Sequence, residues 1–451
     1  MTPNKSLELS VRIKDIMRQN ILQCIDPVFP FDAVRSYESK SKVRHRDRVF
    51  NQESTLLTMV ITALKEDRSL QNSVRIFQEI FHKNREATLQ TALKTQRDKN
   101  QNYISSVDES AKNQPLLKTT IRIPISKFKD LSANTAAFSK ARERVEQGLI
   151  DTVFKASTNF SDLDCVHKWH NRLVFNTDGT YFQMQDTPGI PEKYRVQKNA
   201  DGTMQGYPQG LLQVLTQHGT GFVYNYRIFG RSQSELDAIV EMLDLPEQSL
   251  ILADDYYNCY ALFCTLMDRG IDIIVPDKKE RPYRVVKRIA PGDEIVEISK
   301  PLHIKRLLVK GQVLSPTILL RRVSYKDPEH PEEQRVLLTT IFDETIERQE
   351  FIHKFHTRWD IEVSIREIKT VMGINIARSK TEEMVFRELG VALLAYNLVR
   401  KIVAKSASQT PFSPETDLFQ KLYSTYTPSL VDRKGRVYSR WSPGRPPADH
   451  L

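Results

Sequence analysis

The chain has 451 residues, of which 40% are hydrophobic and 27% charged, too much apolar material for a disordered protein and enough for two or three domains at roughly 150 residues each. Lys and Arg number 66 against 56 Asp and Glu, a formal charge of +10, so a polyanion suits the chain better as a partner than a basic surface does. Four cysteines (Cys24, Cys165, Cys259, Cys264) exclude a disulfide scaffold, no apolar run approaches the ~20 residues of a membrane span, and Glu8 and Asp15 interrupt any signal-peptide core, so a soluble intracellular protein is expected.

The basic excess is local. Residues 1–150 carry 26 Lys and Arg against 17 Asp and Glu, nine of the ten excess charges. Leu56, Met59, Val60, Ala63 and Leu64 recur at helical spacing after the cap residue Ser54, and Asn72, Val74, Phe77, Ile80 and Phe81 repeat the period. Polar residues 98–114 read as an exposed loop, Ile121–Ile125 comes next, and Ser132–Thr135 caps a helix carrying Lys140, Arg142 and Arg144. With the run Lys40, Lys42, Arg44, Arg46 and Arg48, these cations read as phosphate contacts of a helical DNA-binding domain, 1–150.

From Arg172 the texture changes to strands: Arg172–Phe175, Thr180–Met184, Leu211–Leu215 and Phe222–Phe229, the last two joined across Gly219-Thr-Gly221. Ser234–Leu243 reads as a helix, Ser249–Ala253 as a buried strand, Asn258–Arg269 as a helix and Ile271–Val275 as a strand. A meander followed by alternating strands and helices predicts an α/β fold with a mixed sheet and helices on its faces. Residues 276–335 break the rhythm with short β-like pieces at Arg284–Ile289, Glu294–Ile298, Leu307–Val309 and Thr317–Val323, which predicts a β-rich insertion. Helices are expected from Glu347 to about Thr370 and from Met384 to Lys405, and an irregular tail after Ser406.

Three carboxylates stand where such a fold places chemistry. Asp178 follows Leu173-Val174-Phe175 and opens Asp-Gly-Thr, which puts it at a strand end or, equally, in a plain hairpin turn; Asp201-Gly-Thr203 lacks a preceding strand and reads as a turn. Asp254 ends the run Leu250–Ala253, and Asp255 is the better cap for the next helix. On an ideal helix Arg358, Glu362 and Lys369 share one stripe beside the apolar stripe of Ile361, Ile365, Ile368 and Met372; a solvated face with i,i+4 pairs is the blander reading. Three such carboxylates suit two Mg²⁺ ions, or Mn²⁺ as a substitute, for phosphoryl transfer. Cys165-x-His167-x2-His170 is too tightly spaced for a usual zinc site, Cys259 and Cys264 read as buried thiols, and no phosphate-binding Gly-x4-Gly-Lys-Ser/Thr sequence is present.

These residues also carry a family resemblance. Phe355-x2-Arg358-x3-Glu362-x6-Lys369 resembles the tyrosine-arginine-glutamate-lysine signature of bacterial insertion-sequence-four DDE transposases, with Phe in the place of tyrosine. Val174–Thr180, Gln185–Pro188 and Leu250–Asp254 resemble the family's two aspartate blocks, Ser132–Arg142 its N-terminal block, and Arg335–Phe342 the strand before the glutamate helix. The resemblance implies an RNase H-like core (165–275 and 336–405) interrupted by the β-rich insertion (276–335), and a C-terminal tail (406–451) with assembly contacts. Asp178, Asp254 and Glu362 then become catalytic metal ligands, and Phe355, Arg358 and Lys369, with Arg142 and Arg144, DNA-phosphate contacts. It implies cut-and-paste transposition of double-stranded DNA by a homodimer in the bacterial cytoplasm at the nucleoid. The alternative is a catalytically inactive, transposase-derived DNA-binding protein, which needs the basic N-terminal third but not all three carboxylates.

Overall fold

The computed structural model describes residues 25–41, 50–65, 68–79, 134–159, 168–195, 206–230, 233–278, 281–302, 308–309, 311–326 and 332–407. Within them the strands are β1 (Lys168–Trp169), β2 (Arg172–Gln183), β3 (Gln209–Gln217), β4 (Val223–Gly230), β5 (Ser249–Leu252), β6 (Asp272–Pro276), β7 (Arg284–Ala290), β8 (Asp293–Ser299), β9 (Thr317–Lys326) and β10 (Gln334–Thr339). They form one mixed sheet in the order β4-β3-β2-β5-β6-β10-β9-β8-β7, with β1 paired to β2. β5 runs parallel to both β2 and β6, and the other neighbours are antiparallel. The β3–β4 hairpin turns where expected: Gly219 and Gly221 take φ of 88° and 68°, a region that favours glycine.

Helices α1 (Phe31–Lys40), α2 (Gln52–Ala63), α3 (Ala136–Arg144), α4 (Gln147–Ser157), α5 (Glu235–Val240), α6 (Tyr260–Asp268), α7 (Arg348–His356), α8 (Asp360–Arg366) and α9 (Glu382–Ala407) cover the sheet, and residues 70–79 are also helical. Alternation along the strands divides the core. Phe175, Leu215, Ile251, Ile273 and Val275 face α5 and α6, whereas Val174, Leu250, Leu252 and Ile274 pack on Phe351 and Ile352 of α7. On that second face, further along β2 and β3, Phe182, Leu212 and Val214 join a core with α9 and with α1, α2 and α4. The N-terminal helices therefore share their core with the sheet. The insertion strands likewise continue the sheet, β9 pairing with β10, and β7 is its outer edge.

Several expectations need correction. Asp178-Gly179 is neither a turn nor a strand end: β2 is one strand of 12 residues, because every residue from Phe175 to Gln183 finds a partner on β3. The helix expected over 347–370 is broken into α7, a 3-10 turn (Thr357–Trp359), α8 and a π turn (Glu367–Val371), so the ideal-helix placement of Lys369 does not apply. The π turn accompanies an inward-facing Glu367, whose carboxylate accepts from Arg400 Nη2 at 2.6 Å and Tyr396 Oη at 3.1 Å. The apolar stripe does hold, with Ile361, Ile368 and Met372 buried. Asn51, not Ser54, caps α2, its side chain accepting the Ser54 N–H at 2.8 Å. Residues 308–309 form no strand. The loop 98–114, Ile121–Ile125, Lys42–Arg48, Cys24, Cys165, His167, Asp201 and the tail beyond Ala407 lie outside the described residues.

Candidate active site

Register brings the two aspartates together. The last parallel pair of β2 and β5 is Asn176 with Leu252, and adjacent strands lie about 4.8 Å apart. Asp178 and Asp254 each follow that pair by two residues, and alternation along β2 puts Asp178 on the face that carries α7 and α8. β5 ends at Leu252, so Asp254 stands in the gap beyond it, in extended backbone (φ −80°, ψ −177°), capping the 3-10 turn Asp255–Tyr257 by accepting the Tyr256 N–H at 2.9 Å. The cap is thus Asp254 and not Asp255, whose carboxylate pairs with Lys278 at 2.9 Å.

Asp178 is half-buried, and one of its oxygens accepts the Gly179 N–H at 2.8 Å. Burial pushes its carboxyl up from the usual aspartate value against that hydrogen bond; the neighbouring Asp254 and Glu362 charges push the same way, and Arg358 opposes them. Asp254, Glu362 and Arg358 each lie within electrostatic reach of Asp178. Glu362, on the first turn of α8, is exposed and stands 3.6 Å from Arg358, whose side chain is only 14% exposed. Arg358 lies 5.9 Å over the Phe355 ring, and its Nε is buried with no hydrogen-bond partner among the described residues. Lys369 is half-buried in the π turn.

Among the described residues, no three Asp, Glu, His or Cys side chains stand close enough to close a coordination shell as they are. The donor set nonetheless suits a hard divalent cation, for it is all oxygen and negative. Crowding a half-buried carboxylate with two like charges is unfavourable unless a cation joins them.

Residues 169–398 match the family described as Transposase DDE domain. The chain belongs to that family. It is 26% identical over 281 residues to the transposase InsG of insertion sequence element IS4 from Escherichia coli (strain K12), a match covering 60% of this chain and 62% of that protein. The resemblance to insertion-sequence-four transposases read from the motifs is thereby met. A solved piggyBac transposase synaptic complex with hairpin DNA is similar over 90% of this chain and 80% of that one, at a TM-score of 0.36 and 11% identity, too distant to bear on the fold.

The other expected residues of this DDE-family chain lie apart from the carboxylates. Arg142 and Arg144 end α3; Arg144 is exposed, and Arg142 lines a groove of about 650 Å³ with Arg68, Arg378 and Lys380. Burial lowers the Arg142 pKa, against the charges of Glu388 and Glu143. Of the Cys-His run only His170 is described, and its Nε2 is 2.8 Å from Glu350. Cys264 is buried, which raises its thiol pKa, whereas Cys259 is only half-buried. No helix among the described residues is long and apolar enough to cross a membrane.

Two neighbours of the site were missed in the sequence. His218, on the β3–β4 turn, has Nδ1 3.4 Å from Asp360 and Nε2 3.3 Å from Lys354, which ties the hairpin to the Glu362 helix. Glu235 opens α5 beside Gly179; burial raises its carboxyl, Tyr257 lowers it, and Asp178 and Asp254 raise it further. The only sequence signal near it is the Ser234–Asp237 capping box, which announces a helix start and nothing about the site.

Proposed function

We propose that this chain is a DNA transposase that moves its own element by metal-dependent cut-and-paste chemistry, with Asp178, Asp254 and Glu362 as its catalytic carboxylates. The observation that carries the reading is that Asp178, two residues past the last β2–β5 pair, lies within electrostatic reach of both Asp254 and Glu362. The strand order supports an RNase H-like core for 165–275 and 336–405 with an insertion over 276–335. The charge of residues 1–150 supports a DNA-binding role for them, with Arg142 and Arg144 on phosphates.

Two Mg²⁺ ions, or Mn²⁺ in their place, would activate the attacking oxygen and stabilise the leaving oxygen of an in-line displacement. Asp178 and Asp254 present fixed oxygens from the sheet, and Glu362 faces them from a solvent-exposed turn. Arg358, backed by Phe355, grips a DNA phosphate through its terminal nitrogens, and Lys369 neutralises a second. Water then attacks the phosphodiester at an element end. The freed 3′-hydroxyl attacks the opposite strand to close a hairpin, the hairpin is opened, and the same hydroxyl joins target DNA. Two copies of the chain, one per element end, would act together, with contacts from residues 406–451.

The test is nicking of a labelled duplex carrying the inverted repeats that flank the gene. Asp178→Asn, Asp254→Asn and Glu362→Gln should each lower Mg²⁺-dependent nicking by about two orders of magnitude or more while leaving gel-shift binding intact. Asp201→Asn should stay near wild type. If Asp201→Asn abolishes nicking and Asp178→Asn does not, the first ligand is misassigned. A wild-type chain that binds the ends but fails to nick them whatever divalent ion is supplied is a DNA-binding protein and not an enzyme.

A further inference from the structure

The sheet face that carries α5 and α6 is apolar along Phe175, Leu215 and Ile251. It turns polar behind Asp178. Two residues from Phe175 and from Leu215, Thr177 of β2 and Gln213 of β3 face the same way and are fully buried. Thr177 precedes Asp178, and Gln213 pairs across the strands with Gly179, which follows it. By alternation this face is opposite the Asp178 side chain.

The Gln213 amide nitrogen engages both of its protons. It donates to Thr177 Oγ1 at 2.8 Å and to Tyr257 Oη at 2.6 Å, and Tyr257 belongs to the 3-10 turn that Asp254 caps. A flipped amide would set its oxygen against Tyr257 Oη, whose own proton is given to Glu235 at 2.8 Å, so the nitrogen is the atom that stands there. The amide oxygen, in turn, has no hydrogen-bond partner among the described residues. A buried acceptor without a partner is destabilising, and an apolar side chain of the same size would avoid it. Stability alone does not account for this glutamine.

Its nitrogen spans a gap in the sheet. The β2–β5 ladder ends at Asn176 and Leu252, before either aspartate. On the β6 side the Asp254 turn is tied down by Asn258, whose Nδ2 donates to the Pro276 carbonyl and to Asp277 Oδ1, each at 3.0 Å. On the β2 side Tyr257 and Gln213 tie it to β3 and to the residue before Asp178.

We propose that Gln213 is a positioning residue of the site, whose hydrogen bonds to Thr177 and Tyr257 fix the separation of Asp178 and Asp254 from the opposite face of the sheet. The proposal rests on the reading of those two aspartates as ligands of a divalent cation.

Gln213→Met tests it, because methionine fills similar space while removing both donors and the orphaned oxygen. In the full chain without DNA, Mn²⁺ affinity measured by paramagnetic resonance of the free ion should fall about tenfold in Gln213→Met, the usual scale when a group that orients a metal ligand is lost. Its melting temperature should stay at or above that of wild type. Tyr257→Phe cuts only the arm to the Asp254 turn and should also weaken Mn²⁺ binding. Leu266→Ala, in the same core but outside the network, should lower the melting temperature and leave Mn²⁺ affinity unchanged. Wild-type affinity in Gln213→Met overturns the proposal, as does an equal loss in Leu266→Ala, which would make the effect one of general loosening. Should Gln213→Met not fold, wild-type affinity in Tyr257→Phe overturns it instead. Asp178→Asn and Asp254→Asn should lose binding; if they bind as wild type, or wild type binds no Mn²⁺, the reading of the two aspartates itself fails.

Discussion

Asp178 illustrates what the site costs the fold at the scale of one residue. Its carboxyl is pushed up by burial and by two neighbouring carboxylates, so its charged form costs more in the folded chain than in the unfolded one. The stability this group contributes is complete below the ordinary aspartate pKa and is lost as pH rises through the elevated folded value. At neutral pH, without a cation, the cluster is therefore a net burden. Asp178→Asn should raise the melting temperature of the cation-free protein at pH 7 by about 1–2 °C. Added Mg²⁺ should raise that of wild type and not of the variant. Thermal melts in chelator and in Mg²⁺ check both; a variant that melts lower in chelator refutes the like-charge argument. The three carboxylates stand out in the sequence as candidates, being acidic residues that follow apolar strand runs or face out beside an apolar helical stripe, although Asp178 lies within β2 and not at its end. Glu235 does not, because its proximity depends on a missing side chain at Gly179, 56 positions away, and on a tyrosine from another turn.

Among the elements, strands and helices with sustained apolar period were readable, and α9 is the clearest case. Its Asn397 breaks that apolar pattern for a reason only the tertiary structure supplies. It is fully buried, accepts from Val223 N at 3.0 Å, and donates to Val223 O at 2.9 Å and Ser157 Oγ at 3.2 Å, which joins α9 to the start of β4 and to α4. Asn397→Leu would leave a buried N–H and C=O unpaired and should cost about 2–4 kcal/mol, read as a lower midpoint in urea denaturation. A variant as stable as wild type would mean that water replaces the amide. The misread elements share one cause. Asp-Gly is a strong local turn signal, but β3 lies more than 30 residues downstream and supplies β2 with an unbroken row of partners. The helix around Glu362 breaks at a π turn where Glu367 engages Arg400, 33 residues on. Neither partner falls within any local window.

For the whole molecule, one buried pair fastens the insertion strands to the Glu362 side of the sheet. Arg321 of β9 binds Asp293 of β8 through two nitrogens, lies 4.7 Å over Phe351 of α7, and donates to the carbonyls of Asp343 and Ile346 ahead of that helix. Asp293→Asn should destabilise the chain by about 3–5 kcal/mol, because it strands a buried guanidinium. Asp293→Asn combined with Arg321→Met should recover much of that loss, which a two-variant denaturation series would show. The continuity of insertion and core also leaves β7, among the described residues, as an open row of backbone donors and acceptors, the kind of margin on which a second molecule can add a strand. Val285 and Val286 are exposed there, yet the same strand carries Arg284, Lys287 and Arg288, each paired to a glutamate, and its register slips twice against β8. Replacing the three cations with threonine should make the protein scatter light at concentrations where wild type stays clear. The charges along that margin then guard the chain against fibre-like self-association, a task separate from any contact with DNA.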